Sequence, residues 1–399
     1  MSVYSTDELV PPSWMNEAFF QNSLRSFENS NDIKVVTVDI SPASMKGDHY
    51  SSIMFRVKVQ YKTDAKETRV ITKSLIVKTL PDEGDKYDVL SQSLLFETEI
   101  SMYTQTLPKI SKILADHGNP ITLAPKILFS SLEPRKVIIL EDLKEQGYEM
   151  MRNRHPTESE MKAIYRKLAK LHAASYVLGQ SEDSEYITQH QNGMCGSELV
   201  LEHGIFKNGI GQFIEFLETQ QEFQEYARKF QAMKYDILKK SHELFSVYKN
   251  GKQNEILVLN HGDFHLRNLM FKFDENSQMQ DFILFDFQLC VYAPPVIDLM
   301  YSEYIMCSSE SRDKYDNFLR AYFEQFNETL RKINYKDKQL TYYGLKMSSL
   351  QYRHFLILII SFFVPLLYAN ETTSCYQNPL FNAELRKLLP KLLLNGYMD

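Results

Sequence analysis

Three short apolar runs constrain this chain more than anything else in it: residues 256–259 (Ile-Leu-Val-Leu), 269–273 (Leu-Met-Phe-Lys-Phe) and 282–285 (Phe-Ile-Leu-Phe). Each has the length of a buried strand, and the polar turn Asp274-Glu-Asn-Ser-Gln separates the last two. Between the first two lies His261-Gly-Asp-Phe-His-Leu-Arg-Asn268, and directly after the third comes Asp286-Phe-Gln288. Asp263 and Asn268 are therefore expected on a loop between strands, and Asp286 where a strand ends. Three acceptor side chains are gathered at one end of a small sheet, where loops carry chemistry on a rigid frame.

Phosphoryl transfer from ATP uses such a set. One carboxylate orients the attacking hydroxyl and accepts its proton, while an Asn and a second carboxylate hold magnesium against the phosphates. The spacing of five from Asp263 to Asn268, then an acid on the next hairpin, matches the kinase pattern H-R-D-x-x-x-x-N and D-F-G. Gly262 stands in place of the Arg, and Gln288 in place of the last Gly. This combination is similar to the aminoglycoside phosphotransferase and choline kinase branch. A rival reading takes His261, Asp263 and His265 as the H-x-D-x-H core of a metal hydrolase. It lacks further ligands at a matching spacing and leaves Asn268 and Asp286 unexplained.

The N-terminal half supplies the parts such chemistry also needs. Residues 17–27 have helical spacing, with Phe20, Leu24 and Phe27 on one face. Residues 34–40, 53–61 and 70–78 alternate or run apolar as strands, and residues 123–129 and 136–140 add two more. The turn at residues 46–52 holds Gly47 and Ser51, whose backbone N–H groups can cover phosphates. Lys78 ends an apolar strand, so its ammonium must be solvated or paired. It is the candidate for the strand lysine that contacts ATP phosphates and pairs with a helix glutamate. A helix over residues 89–107 offers both Glu97 and Glu99. Where the fifth strand leaves the sheet, Glu141 and Leu143 are placed to bond adenine through their backbone.

From residue 156 the pattern turns helical. Thr157 with Glu160 forms a capping-box pair, and Met161, Ile164, Leu168 and Leu171 make a stripe that ends at His172, a core or loop-bracing residue. Asp298, at the start of a helix after Pro294-Pro295, is placed to brace the catalytic loop or to cap its own helix. Further helices are expected over residues 213–248, 312–332, 340–368 and 382–394. The fold class is α+β with two lobes: residues 1–143 with a five-stranded antiparallel sheet plus helix, and residues 144–399, mainly helical.

Composition narrows the partners. A net charge of −6 and a pI near 6.0 give no basic field for nucleic acid or anionic lipid. Four widely spaced cysteines, Cys195, Cys290, Cys307 and Cys375, fit reduced thiols rather than a disulfide frame. No signal peptide is read at the N-terminus, and the apolar run at residues 355–368 is too short for a membrane span and contains Pro365. A cytoplasmic chain with no inferred protein partner follows. Only a short stretch separates Asp286 from Asp298, which leaves no room for the peptide platform of a protein kinase.

The chain resembles the ecdysteroid kinase-like family of insects, also called CHK kinase-like. The pieces are Pro12-Ser-Trp14, the strand ending at Lys78, Phe96-Glu-Thr-Glu99, Leu140-Glu-Asp-Leu143, Leu168-Ala-Lys-Leu-His172, the loop from His261 to Asn268, and Asp286-Phe-Gln288 with Asp298-Leu299. Phe264-His265 departs from the family, which commonly has an apolar residue and then Trp. The resemblance aligns Glu99, rather than Glu97, with the partner of Lys78. It implies an ATP- and Mg2+-dependent transfer of phosphate to a small-molecule hydroxyl, with an ecdysteroid as the acceptor. Hydroxylated xenobiotics, or a non-catalytic ligand-binding role, are the alternatives. Acceptor walls are expected from residues 206–230, 301–306 and 340–368, which are rich in Phe, Tyr, Leu and Met and suit a bulky apolar molecule.

Overall fold

The computed structural model describes residues 9–43, 52–64, 68–152, 154–198, 201, 204–251, 255–369 and 374–399. The chain forms two compact units. One comprises residues 1–108, 122–150 and 269–288; the other comprises residues 109–121, 151–268 and 289–399.

In the first unit, β1 (Lys34–Pro42), β2 (Ile53–Lys62), β3 (Ile71–Thr79), β4 (Ile127–Ser131) and β5 (Val137–Glu141) form a five-stranded sheet in the order β1-β2-β3-β5-β4. Every neighbouring pair is antiparallel. The alternation of β2 puts Phe55, Val57, Val59 and Tyr61 on the buried face, as its period of two requires. The helix Glu17–Glu28 covers this face through Phe20 and Leu24. Asn16 starts that helix by accepting from the Phe19 N–H at 3.1 Å, and Asn29 ends it in the left-handed region. A second sheet joins β6 (Tyr148–Glu149), β8 (Leu269–Phe273) and β9 (Met279–Leu284).

Two expected elements differ. The strand begun at residue 123 starts only at Ile127, because Pro125 has no N–H to give a ladder; the Leu123 carbonyl instead accepts from the Leu284 N–H. The helix expected over residues 89–107 is broken. Asp85–Ser91 ends where Ser93 Oγ donates to the Leu90 carbonyl, and Leu95–Ser101 begins a second helix that runs on to Asp116. Residues Met102–Thr106 wind as a π-helix just ahead of Pro108. Proline clashes with the carbonyl four residues back, and a wider turn relieves the clash.

In the second unit, helix Glu158–Gly179 packs along helix Tyr315–Lys332, with Tyr176 stacked on Phe326 and Tyr165 tilted against Phe318. The Thr157–Glu160 capping box is present. Helices Gly204–Thr219 and Gln224–Phe245 lie side by side. The strands β7 (Val258–Asn260) and β10 (Val291–Ala293) pair antiparallel, and helix Val296–Ile305 follows. The single helix expected over residues 340–368 is instead two, Tyr342–Gln351 and Arg353–Leu366, meeting at 61°. Its second half also winds as a π-helix, Ile359–Phe363, ahead of Pro365. No single helix among the described residues is long and apolar enough to cross a membrane. All four cysteines are buried, and none of them is in a disulfide.

Phe20 is fully buried where the leading helix meets the sheet. Phe20→Ala is expected to cost about 3–5 kcal/mol of stability, read as a lowered midpoint of chemical unfolding of the full chain. Exposed Val10, 78% accessible, changed to Ala in the same assay should move it by less than about 0.5 kcal/mol.

Candidate active site

Lys78 lies on β3 between Met54 of β2 and Ile138 of β5, and is 2% exposed. At that burial the ammonium has no route to water, so its charge must be met inside. Its Nζ donates to Glu99 Oε2 at 2.5 Å and to Asp286 Oδ1 at 2.6 Å, with Gln288 Oε1 at 3.4 Å. Three acceptors surround the three protons of an ammonium. Burial pulls the lysine down, but Asp286 and Glu99 outweigh it and the group is held above its ordinary value. Burial pushes Glu99 up, Lys78 opposes this and Asp286 adds to it, leaving Glu99 at about 7.

Residues two apart on a helix point to different sides, so one of Glu97 and Glu99 can face Lys78. Glu99 does; Glu97 pairs with Lys136 at 2.8 Å. Asp286 follows β9 with φ +64, a left-handed conformation that a short acid tolerates better than most residues. Phe287 is fully buried with its ring edge-on to Tyr103 at 5.5 Å, and its backbone N–H bonds Glu99.

At the exit of β5, the Glu141 N–H donates to the Lys126 carbonyl, and its carboxylate accepts from Lys126 N and Gln146 Nε2. Leu143 is buried and opens a 3-10 turn through Gln146. Asp142 between them was not singled out from sequence. It is 4% exposed and accepts from Arg56 Nε at 2.7 Å, Ser74 Oγ at 2.8 Å and Lys144 N at 3.2 Å. Burial raises its carboxyl, and Arg56 and Ser74 bring it below its usual range. Such an acid locks β2, β3 and the strand exit together. Gly47 and Ser51 lie outside the described residues.

The second unit holds the loop from His261 to Asn268. Gly262 has φ +82, and a Cβ there would lie 1.9 Å from the Leu289 carbonyl oxygen. No larger residue fits, which is why Arg of the protein-kinase pattern is replaced. Fully buried Asp298 accepts from His261 N at 2.7 Å and Gly262 N at 2.9 Å. It also meets His172 Nε2 at 3.2 Å, whose Nδ1 lies 2.8 Å from the Tyr322 hydroxyl. Asp298 thus braces the loop, and the buried acid sits inside its helix rather than capping it. Asn260 is a further buried polar residue that the sequence reading passed over. Its amide donates to the Ala293 and Pro294 carbonyls at 3.0 and 3.2 Å, and its oxygen accepts from Asp298 N at 3.3 Å.

These braces hold Asp263 and Asn268 together. Asn268 Nδ2 donates to the Asp263 carbonyl at 2.9 Å and to its carboxylate at 3.0 Å. His265 Nδ1 accepts from Arg267 N at 3.1 Å, so a neutral ring carries its proton on Nε2, which faces Asp263 at 3.3 Å. Burial pushes the Asp263 carboxyl up, but His265, His261 and Tyr301 outweigh it and hold it well below the carboxylate range. Phe264 is fully buried, so of the departing pair only His265 lies beside the Asp263 carboxylate. Among the described residues, no three His, Cys, Asp or Glu side chains converge as a metal cage.

Two outcomes follow. Asp298→Ala leaves two buried N–H groups without an acceptor, at about 1–3 kcal/mol each; hydrogen exchange at the His261 and Gly262 amides should accelerate with a lowered melting temperature. For Glu99, the value of about 7 in the folded chain exceeds the ordinary 4.5 of a glutamate. Its contribution to stability is therefore complete below 4.5 and lost as pH rises through 7. Glu99→Gln should flatten the wild-type fall in stability across that window, measured by urea unfolding at several pH values. A slope that persists unchanged assigns it to another group.

A family model for the ecdysteroid kinase-like family matches residues 46–335. No curated protein matches the sequence. Among solved structures, the ethanolamine kinase of Plasmodium vivax is 15% identical with a TM-score of 0.36, covering 90% of this chain and 84% of that one. An aminoglycoside phosphotransferase of Alicyclobacillus acidocaldarius is 11% identical at 0.40, covering 86% and 88%. Aminoglycoside 2'-phosphotransferase-IIIa, in its GDP complex, is 13% identical at 0.44, covering 96% and 100%. The family match spans well over half of the sequence, and by it the chain belongs to the ecdysteroid kinase-like family.

Proposed function

We propose that this protein is an ATP- and Mg2+-dependent kinase. It moves the γ-phosphate to a hydroxyl of a bulky, mostly apolar acceptor in the cytoplasm, an ecdysteroid-like steroid being the first candidate. The observation that carries this reading is the Lys78 ammonium held between Glu99 and Asp286. A buried, fixed cation of this kind has the chemistry to hold phosphate oxygens, and its acids keep it charged.

The other roles follow from donor chemistry. Asp263 orients the acceptor hydroxyl and takes its proton as the P–O bond forms and ADP leaves. A carboxylate held well below its usual range is a weak base, which suits a loose transition state in which the proton departs late. Magnesium takes oxygen ligands. Asp286 in the first unit offers a carboxylate, and Asn268 in the second has its amide nitrogen committed to Asp263, which leaves its carbonyl oxygen for a cation. Bound magnesium would neutralise charge on the phosphates. Glu141 spends its N–H inside the sheet, so adenine recognition falls to its carbonyl and to the backbone of Leu143. Gly47 and Ser51 are the proposed phosphate cover. The chain runs from Asp286 through a 3-10 turn and β10 directly into helix Val296–Ile305, which leaves no peptide platform.

Incubation with ATP and magnesium over a panel of ecdysteroids, hydroxylated xenobiotics, choline and aminoglycosides, read by mass gain of one phosphate, tests this. Phosphate is expected on the steroid. Asp263→Asn should lower turnover by about 10²–10⁴-fold yet keep the rise in melting temperature that MgATP produces. Lys78→Ala should lose that rise. Full turnover by Asp263→Asn, or phosphate on choline or an aminoglycoside with the steroid untouched, contradicts the assignment.

A further inference from the structure

His265 Nε2 lies 3.3 Å from the Asp263 carboxylate, and the rings of His265 and Tyr301 begin a continuous run of aromatic side chains in the second unit. The Tyr301 ring lies 6.3 Å from the His265 ring and 5.5 Å, edge-on, from Phe363. Phe362 follows at 4.9 Å from Phe363, and Phe206 at 4.7 Å from Phe362. Tyr301 is buried, whereas Phe206, Phe362 and Phe363 keep part of their faces open. Their neighbours Ile357 to Ile360 are fully buried. Within its π-helical turn the same helix passes from fully buried Ile359 and Ile360 to half-buried Phe362 and Phe363.

Two details show that this surface is built. The π-helix Ile359–Phe363 ahead of Pro365 carries the two adjacent rings; such wide turns concentrate at functional sites. Opposite, helix Gly204–Thr219 has Gly209, where a Cβ would come within 2.5 Å of the Phe362 ring. Only the missing side chain lets the ring lie against that helix.

We propose that Phe206, Phe362 and Phe363 form the recognition wall for the phosphoryl acceptor, a fused-ring alcohol. The Tyr301 ring lies between this wall and His265, whose Nε2 meets the Asp263 carboxylate. The inference rests on the kinase reading above and adds its specificity determinants. The three Phe centroids lie 4.7 to 6.2 Å apart, so the rings touch each other and leave no ammonium-sized gap. Quaternary ammonium recognition needs rings around a cavity; a contiguous apolar face suits a rigid polycyclic body.

Equilibrium dialysis of the full chain without nucleotide, with ecdysone, quercetin and choline as probes, tests the wall. Ecdysone or quercetin should be retained and choline not. Phe362→Ala and Phe363→Ala should weaken retention at least about tenfold, with Phe362→Leu restoring part of it and the MgATP melting shift unchanged in all. Retention of choline, no retention of either polycyclic probe, or retention unaffected by the Ala variants overturns the proposal. A chain that retains ecdysone through these residues but ignores MgATP sinks the kinase reading and keeps the wall.

Discussion

A single ammonium, that of Lys78, dictates how the first unit is put together. A lysine inside a sheet costs several kcal/mol in lost hydration unless acids meet it, and here two do. Glu99 must arrive on the helix that follows β3, and Asp286 must turn in from the end of β9. The broken helix at residues 92–94, the left-handed Asp286 and the packing of Phe287 on Tyr103 all serve that convergence. Two carboxylates for one ammonium leave a surplus negative charge when both ionise. Glu99, held at about 7, relieves it by keeping a proton near neutral pH. A cation arriving at Asp286 would remove the reason for that proton, which couples occupancy of the site to the ionisation of the pair.

The second unit solves a different problem, that of holding an acid and an amide still on a loop. Asp298 does this from inside a helix by accepting two consecutive backbone N–H groups, with His172 and Tyr322 behind it. Every member of this chain is buried, and each has a partner. Gly262 completes the loop because its neighbour's carbonyl leaves no space for a side chain. The loop can then present Asp263 with donors from Asn268 and His265, which stabilise its charged form.

Much of this was legible because strand alternation and motif spacing are local. The pattern of β2, the capping box at Thr157 and the acceptor-bearing loops at 261–268 and 286 needed no knowledge of distant contacts. The choice between Glu97 and Glu99 was open to residue pattern alone, since both lie on the helix; which one faces Lys78 depends on where the helix breaks. That break arises from serine-to-carbonyl bonding, a weak signal in sequence. Prolines 108 and 365 were visible, but their effect, a π-turn rather than an end, depends on flanking helix that packing holds in place. Asp142 and Asn260 escaped notice because their partners, Arg56 and Ser74 in one case and the Ala293 and Pro294 carbonyls in the other, are remote in the chain.

Lys78, Glu99 and Asp286 are the proposed anchor for nucleotide phosphates and their metal. Calorimetric titration of ATP, with and without magnesium, into the wild-type chain and Asp286→Asn measures this directly. Magnesium is expected to tighten ATP binding by about tenfold or more, a gain of about 1.4 kcal/mol, in the wild type and not in Asp286→Asn. No ATP binding by the wild type, or a magnesium effect that survives the substitution, would contradict it.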